Sequence, residues 1–484
     1  MNIKAKIQKH FSSQKLLDSQ AELAEYVQDH SFVQGELPSL IVKPKKASEI
    51  KEIIILANRE EFGLIPVSSG LPRFRGDTIP LKKELVIVDM QDMKKIEWVN
   101  RRNRVAVIEP GVTFSELVPA LAKEGLRPLM PLSPKSRKSV LTCYWEREPL
   151  TLTRFQWEAM DPITTTEFIL GNGEVLYAGE VGSLTGSKEK QRKRGHSHKH
   201  PFGILSMNVK KLGGGSQGTL GICPWVAIRC ELLPEYEKMY CIYGDSLEEL
   251  TEAGHRLVYN RLADDLFILN SLNLACLLAK KFNEIRAIQE SLPKWILLFT
   301  ISGYGILPQK MFEYKQTELK KLGFKFNEDL NGIGNERLKN LVRRVSEEPY
   351  WKLRLKGDVR ELFFQTSLRK SPHFVKLMGQ IINKVGFLSS DLGIYIQPQL
   401  QGVYCHLEFD FYFSAGNEGE AEKVKNLFRT SALEMFLQGA FFSRPYGEIA
   451  NMVYSRYSQT VKLLKIIKEM FDPKGIMSPG RFPF

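Results

Sequence analysis

The most regular alternation of apolar and polar positions runs from Val403 to Tyr412. Leu407, Phe409 and Phe411 fall on one side, and Tyr404, His406, Glu408, Asp410 and Tyr412 on the other. Successive side chains of a strand point to opposite faces, so this segment reads as a strand. One face packs on helices; the polar face needs water, partners or a substrate. The stretch from Leu392 to Gln401 alternates similarly and places Tyr395, Gln397 and Gln399 together. Earlier in the chain, short apolar runs at 40–44, 64–67, 84–89 and 104–109 are bounded by turn residues and separated by segments of helical period. Ser48 is placed to cap a helix whose Ile50, Ile53, Ile54 and Leu56 form one stripe. Thr113 and Glu116 have the spacing of a capping box. Two runs, 166–170 and 174–177, flank Gly-Asn-Gly and predict a hairpin. The first 35 residues read as two short helices. From about residue 236 helices lengthen, at 246–262 and 317–322, and a last helix at 460–470 stops before Asp472-Pro473. The change of texture puts a domain boundary near Pro234.

A chain of 484 residues has room for two domains, each with its own core. With 43% hydrophobic and 25% charged residues, it belongs among globular rather than disordered or fibrous chains. The start is basic and amphipathic, without the apolar core of a secretory leader, and the most apolar run, Trp295 to Ile301, is too short to span a bilayer. Cytoplasm is the default expectation. Six scattered cysteines without a Cys-x-x-Cys argue against structural zinc or an iron–sulfur cluster, and for reduced, buried thiols. Redox chemistry would then need an organic cofactor, with any metal centre on a partner.

The net charge of +13 is partly local, concentrated in residues 188–200. This His-rich segment reads as a solvated loop, or as a docking surface for an acidic partner or anionic substrate. Aromatics are not interleaved with it as a nucleic-acid stacking platform requires. His196, His198 and His200 have the spacing of a flexible tract rather than of a metal site.

The densest local signal is Lys211 to Ile222, with five glycines leading into the apolar run Trp225 to Leu233. Glycine permits close approach of backbone to a ligand and φ > 0. Ser216 and Thr219 add hydroxyls. Alone, such a run is compatible with a plain surface turn.

Three separated segments together resemble the vanillyl-alcohol oxidase / p-cresol methylhydroxylase family of FAD-linked oxidoreductases, which includes flavin subunits of glycolate and D-lactate dehydrogenases. Pro66-Val-Ser-Ser-Gly70 through Asp89, followed by Ile108-Glu-Pro-Gly-Val-Thr113, is similar to the pyrophosphate loop and "VEPGVT" signature. Gly215 to Ile222 is similar to "GSEGTLGI", and Phe471 to Gly480 to the terminal "DPNGILNPGK". The resemblance implies an α+β fold: a two-part FAD-binding domain with an inserted cap domain carrying an antiparallel sheet. The boundaries expected are a helical extension at 1–36, the FAD-binding domain at 37–235, the substrate cap at 236–438, and a returning segment at 439–484. It implies FAD contacts from Pro66, Ser68, Ser69, Gly70, Leu71, Arg73, Gly76, Pro110, Ser139 and Val140, and from Gly215, Ser216, Gly218, Thr219, Gly221, Ile222 and Arg444. The chain departs from the family at Leu71-Pro72, where glycine is usual. Arg73 and Arg75 bring charge that can neutralise a diphosphate or face solvent. Ser139-Val140 replaces a Gly-Gly pair. No histidine or tyrosine matches the family's covalent tether, so the FAD is expected to be non-covalent.

The resemblance also puts the polar strand over the flavin. His406 is then the first candidate for base or substrate ligand, since its ordinary pKa suits proton abstraction from a hydroxyl. A structural histidine paired with Glu408 or Tyr404 is the alternative. No third ligand accompanies His406 and Glu408 for a metal, and none is expected. Gly439 to Gly447 resembles a segment of the phenol-oxidising branch that places an arginine near substrate or flavin. Arg444 could grip a carboxylate or phenolate, assisted by Tyr446, or bridge the two domains. The hydroxy-acid branch's "GEHGIG"-like stretch is absent. Trp157, Glu158 and Asp161 occupy the region where phenol oxidisers carry an acid, although surface carboxylates are commoner. The activity implied is dehydrogenation of a hydroxy acid or hydroxylated aromatic, with electrons leaving to an iron–sulfur or electron-transferring flavoprotein partner. The competing reading is a non-catalytic flavin relay or assembly subunit; a nucleic-acid role is remote. Oligomeric state is open.

Overall fold

The computed structural model describes residues 3–153, 162–183, 188–201, 209–481 and 483–484. The first three of the four early apolar runs form a parallel sheet. Strand Leu85–Asp89 lies between Leu40–Val42 and Gly63–Val67, parallel to both, and Leu16–Leu17 adds an antiparallel edge. All of Leu85–Asp89 is buried, which requires the continuous apolar run seen in sequence. Helix Ala47–Glu60 makes the crossover and buries Ile50, Ile53, Ile54 and Leu56 in the same core. It starts one residue before the expected cap: Lys46 takes the N-cap position rather than Ser48. The Glu49 carboxylate accepts from Lys45 N at 2.9 Å, which takes up an otherwise orphaned donor.

A second, antiparallel sheet runs in the order Ile96–Asn100, Val105–Ile108, Gly221–Arg229, Ile163–Leu170, Val175–Ala178. The glycine-rich stretch therefore feeds directly into a central strand, and Gly221 and Ile222 are already part of it. Thr113 and Glu116 form the expected capping box at helix Phe114–Ala122.

Leu126–Arg127 and Glu231–Leu232 form a two-stranded antiparallel pair, and a larger sheet has six strands, all antiparallel, in the order Tyr236–Gly244, Trp295–Gly303, Leu266–Asn270, Leu392–Gln399, Tyr404–Phe413, Asp358–Thr366. Leu407, Phe409 and Phe411 pack with helices Leu247–Tyr259, Ser371–Val385 and Glu418–Leu437 in one core. On the opposite face, Tyr395 and Tyr412 share a cluster with Phe74 and Leu132 from the N-terminal half. This sheet thus turns its polar face toward the first two. Helix Pro308–Lys321 extends further toward the N-terminus than the alternation suggested, because Pro308 is accommodated in its first turn.

The chain's last segment returns to the first sheet. Leu64 N donates to Ile476 O at 2.7 Å and Ser478 N to Leu64 O at 2.8 Å. Asp472 accepts from Ile476 N and Met477 N, and Lys468 Nζ donates to Asp472 Oδ2, to Thr219 O and to Met477 O. One buried ion pair therefore ties the C-terminal motif to the glycine-rich stretch.

The basic segment is not an unstructured loop. Lys188–Lys193 is helical, and His198 is buried with its ring beside those of Trp98 and Trp225. Lys188 and Arg192 lie over the same two indoles, so part of the local positive charge serves packing. All six cysteines are free and buried. Among the described residues no helix is long and apolar enough to cross a membrane.

Candidate active site

A cleft separates the N-terminal sheets from the polar face of the six-stranded sheet. It contains about 1530 Å³ of space clear of protein atoms, its open mouth included. Two loops make its floor. The first leaves strand Gly63–Val67 and places Pro66, Ser68 and Ser69 on the wall. Ser68 Oγ contacts Thr142 Oγ1, Ser69 Oγ accepts from Ser139 N at 3.2 Å, and Gly70 N donates to Arg137 O at 3.0 Å. The second loop is the glycine run, which places Gly215, Ser216, Gly218, Gly221 and Ile222 on the wall. Gly218 has φ +71°, and a Cβ there would lie 2.5 Å from Pro66 Cγ. Only glycine lets these two loops approach so closely.

Several expected contacts lie behind this wall. Ser139 is fully buried, caps helix Val140–Trp145, and donates through Oγ to Pro110 O at 2.6 Å. Val140 packs in an apolar core, whereas the next residues, Leu141 and Thr142, reach the cleft. The serine and valine in place of Gly-Gly thus shift contact to the following turn. Thr219 Oγ1 donates back to Ser216 O at 2.6 Å. Gly70 abuts Arg137, Leu71 is exposed, and Gly76 (φ +70°) packs on Val33. Arg73 does line the cleft; its guanidinium donates to Glu25 O and lies 4.4 Å from the Tyr26 ring centre.

The roof is a web of buried charges. Glu408 and Tyr395, opposite each other on neighbouring strands, face the cleft, as do Tyr350, Trp351 and Lys352. His406 does not line it. Its Nε2 lies 3.1 Å from Glu408 Oε2, and its ring sits between Phe363 and Tyr395. Burial pushes the His406 imidazole below its ordinary value, so it is neutral and donates to Glu408. Lys352 Nζ donates to Glu408 Oε1, to Glu361 Oε1 at 2.6 Å and to Asp410 Oδ1 at 2.9 Å. Those three carboxylates lie within 4.8 Å of one another, a grouping able to hold a metal ion; here the ammonium occupies its centre. Burial disfavours the charged lysine, but Asp410, Glu361 and Glu408 outweigh it and hold it well above the ordinary range. Burial raises Asp410 to about 7. Asn273 Nδ2 donates to Asp410 Oδ2 at 2.7 Å, in space left by Gly393, where a Cβ would lie 2.0 Å from Asn273 Oδ1. Of the neighbouring polar strand, Tyr395 Oη donates to Gln397 Oε1, Gln397 Nε2 caps Leu266 O, and Gln399 is buried.

A second charged cluster was not singled out in sequence. Lys138 Nζ lies 2.6 Å from Glu146 Oε2 and 2.8 Å from Glu148 Oε1. Burial raises Glu146 to about 7; burial also opposes Glu148, but Lys138 and Arg75 hold it down at about 2. Lys135, which donates to Pro72 O at 2.7 Å, is lowered to about 8 by burial and by Lys138. Arg444 Nη1 donates to the Glu146 carbonyl at 3.1 Å, and its guanidinium lies 4.5 Å from the Phe363 ring centre. Arg444 lines a smaller adjoining cavity, while Tyr446 lines both. Trp157, Glu158 and Asp161 fall outside the described residues.

Five cleft-lining side chains carry buried polar atoms with no hydrogen-bond partner among the described residues: Arg73 Nε, Thr78 Oγ1, Trp145 Nε1, Trp351 Nε1 and Tyr446 Oη. Buried polar atoms are nearly always bonded, so these are donors and acceptors placed for a ligand. Loop hydroxyls and arginine at one end, and an aromatic, ionisable roof at the other, fit a long dinucleotide such as FAD. Pro66, Ser68, Ser69, Arg73, Gly215, Ser216 and Gly218 would hold it.

Residues 38–140 match the family model described as an FAD binding domain. The chain is similar to "D-lactate dehydrogenase [cytochrome], mitochondrial" of Arabidopsis thaliana, at 19% identity over 451 residues, 92% of this chain and 73% of that one. The fold matches p-cresol methylhydroxylase with substrate bound, at TM-score 0.80 and 17% identity, covering 99% of this chain and 95% of the other. It also matches 4-ethylphenol oxidase from Gulosibacter chungangensis in an isoeugenol complex, at TM-score 0.82 and 18% identity, with coverage of 99% and 95%. Domain match, relatives and fold agree with the three motifs: the chain carries an FAD binding domain and is similar, in sequence and in fold, to FAD-linked oxidoreductases of the vanillyl-alcohol oxidase / p-cresol methylhydroxylase type.

Proposed function

We propose that the chain is a dehydrogenase that removes a hydride from a hydroxy acid or a hydroxylated aromatic and passes the electrons to a protein partner. In this reading residues 37–235 and 439–484 form the FAD-binding unit, 236–438 the cap and 1–36 an extension. Bound FAD supplies the hydride acceptor. The observation that carries the reading is the Tyr446 hydroxyl, buried, unpartnered and on the wall of both cavities. It is placed to bond a substrate oxygen, with Arg444 nearby to favour an anion. Glu408, held by Lys352 and His406, faces the cleft and takes the substrate's proton; His406 is the positioning residue. The D-lactate dehydrogenase relative names a cytochrome, which supports a protein acceptor; an iron–sulfur or electron-transferring flavoprotein partner has the same role. The test is anaerobic: a panel of hydroxy acids and alkylphenols is mixed with the holoprotein and flavin absorbance followed. Bleaching by one class identifies the substrate; flavin that stays oxidised throughout counts against the proposal.

One observation favours a second reading, a non-catalytic flavin relay or assembly subunit. The roof's charges are already satisfied by one another, and His406 is turned from the cleft. Flavin that is reduced only by a redox protein, and by no small molecule, would select it.

A further inference from the structure

Behind the Arg75–Glu361 ion pair lies a smaller cavity of about 320 Å³, again counted with its mouth. It shares Phe74, Arg75, Glu361 and Tyr446 with the main cleft, so the two are neighbours across one wall. Three guanidiniums line it. Arg75 is matched by Glu361. Arg360 and Arg444 form no ion pair among the described residues. Among the described residues Arg444 donates to the Glu146 carbonyl alone. Arg360 is 9% exposed, and its Nε is buried without a partner. Its guanidinium is held between rings, 4.3 Å from the centre of Phe428 and 5.2 Å from that of Phe32. Burial lowers both guanidiniums below their ordinary value, Arg360 to about 10.

A buried cation without a counter-ion is strongly unfavourable, and two beside one cavity are more so. Arginine's planar fork is suited to a carboxylate. The other walls, Phe363, Phe428 and Phe442, are flat and apolar. We propose that this cavity is an anion subsite for a carboxylate borne on a flat apolar group, which bonds Arg360 and Arg444 and lies among the three phenylalanines. The inference rests on the oxidoreductase reading only in assigning that carboxylate to the far end of the substrate, away from the reacting carbon. The same chemistry offered by a separate small molecule is the other source.

The probe is benzoate, titrated calorimetrically into the FAD-loaded protein. Saturable binding is expected for the wild type. Arg360→Gln should weaken it about ten-fold or more, since a charge-assisted bidentate contact is lost. Bound-flavin absorbance and melting temperature serve as the controls for folding. If Arg360→Gln does not fold, Arg360→Lys carries the test: it keeps the charge without the fork, and binding should weaken about five-fold. Absence of saturable binding to the wild type, or affinity unchanged in the variant that folds, overturns the proposal. Competition between benzoate and substrate during turnover assigns the site to the substrate's own carboxylate; binding without competition overturns that assignment. Failure of the oxidoreductase reading shows separately, as flavin that no substrate reduces while benzoate still binds.

Discussion

His406 Nε2 lies 3.1 Å from Glu408 Oε2, and of the two only Glu408 faces the cleft. The imidazole, buried and neutral, aims the carboxylate rather than meeting a substrate. Glu408→Gln should therefore lower kcat by about 100-fold or more, the range for a lost acid–base group. His406→Gln, which retains a donor, should cost about ten-fold or less through loosened geometry. Steady-state kinetics of the two variants give the comparison; an order reversed would return the base to His406.

Tyr446 offers a cleaner separation of binding from stability. Its hydroxyl has no partner to lose, so Tyr446→Phe should leave unfolding free energy within about 0.5 kcal/mol of the wild type. Turnover should fall about 100-fold if the hydroxyl bonds the reacting substrate. Urea unfolding and kcat/KM on one preparation test both; loss of stability would mean that the hydroxyl already has an internal partner.

Lys352 is the one cation shared by Glu361, Glu408 and Asp410. Lys352→Met leaves buried carboxylates uncompensated and should cost about 3–5 kcal/mol at neutral pH. The loss should shrink in acid, as the carboxylates gain protons, and a series of urea titrations against pH would show it.

Asp410 gives a pH test with a definite sign. Its folded pKa, about 7, is above the ordinary aspartate value, so the folded chain binds the proton more tightly than the unfolded one. That contribution is complete below about pH 4 and is lost as pH rises through 7. Asp410→Asn removes the titration. The variant should match the wild type at or below about pH 4 and exceed it at pH 8, on the order of 2–4 kcal/mol. Equal stability differences at both values would disprove the shift.

Gly218→Ala tests the floor. A Cβ would press within 2.5 Å of Pro66 Cγ, at φ +71° where an L-residue loses about 1–2 kcal/mol. The two loops should separate and FAD affinity fall. Purification with substoichiometric flavin is the expected result, measured from the ratio of flavin to protein absorbance.

The floor was legible because backbone constraints leave a mark on residue type. Where two loops nearly touch, as at Gly218 and Pro66, or where the chain re-enters a sheet, as at Asp472 to Ser478, few residues are tolerated. The alternation at 403–412 likewise determined which side chains share a face, since a strand has period two. It could not say whether that polar face would meet water or protein. The answer came from Lys352, carried in by a turn after Pro349, which closes three carboxylates and turns the face inward. Lys138, Glu146 and Glu148 had no periodic signature, lying in a loop and a helix end whose orientation depends on the packing of Val140 beneath them. The unpaired Arg360 was invisible for the same reason. Sequence by itself determined the elements, their faces and the glycine positions, because these follow from local geometry. Only the tertiary structure decided which charges meet and which do not, because burial and pairing are set by segments that are distant along the chain.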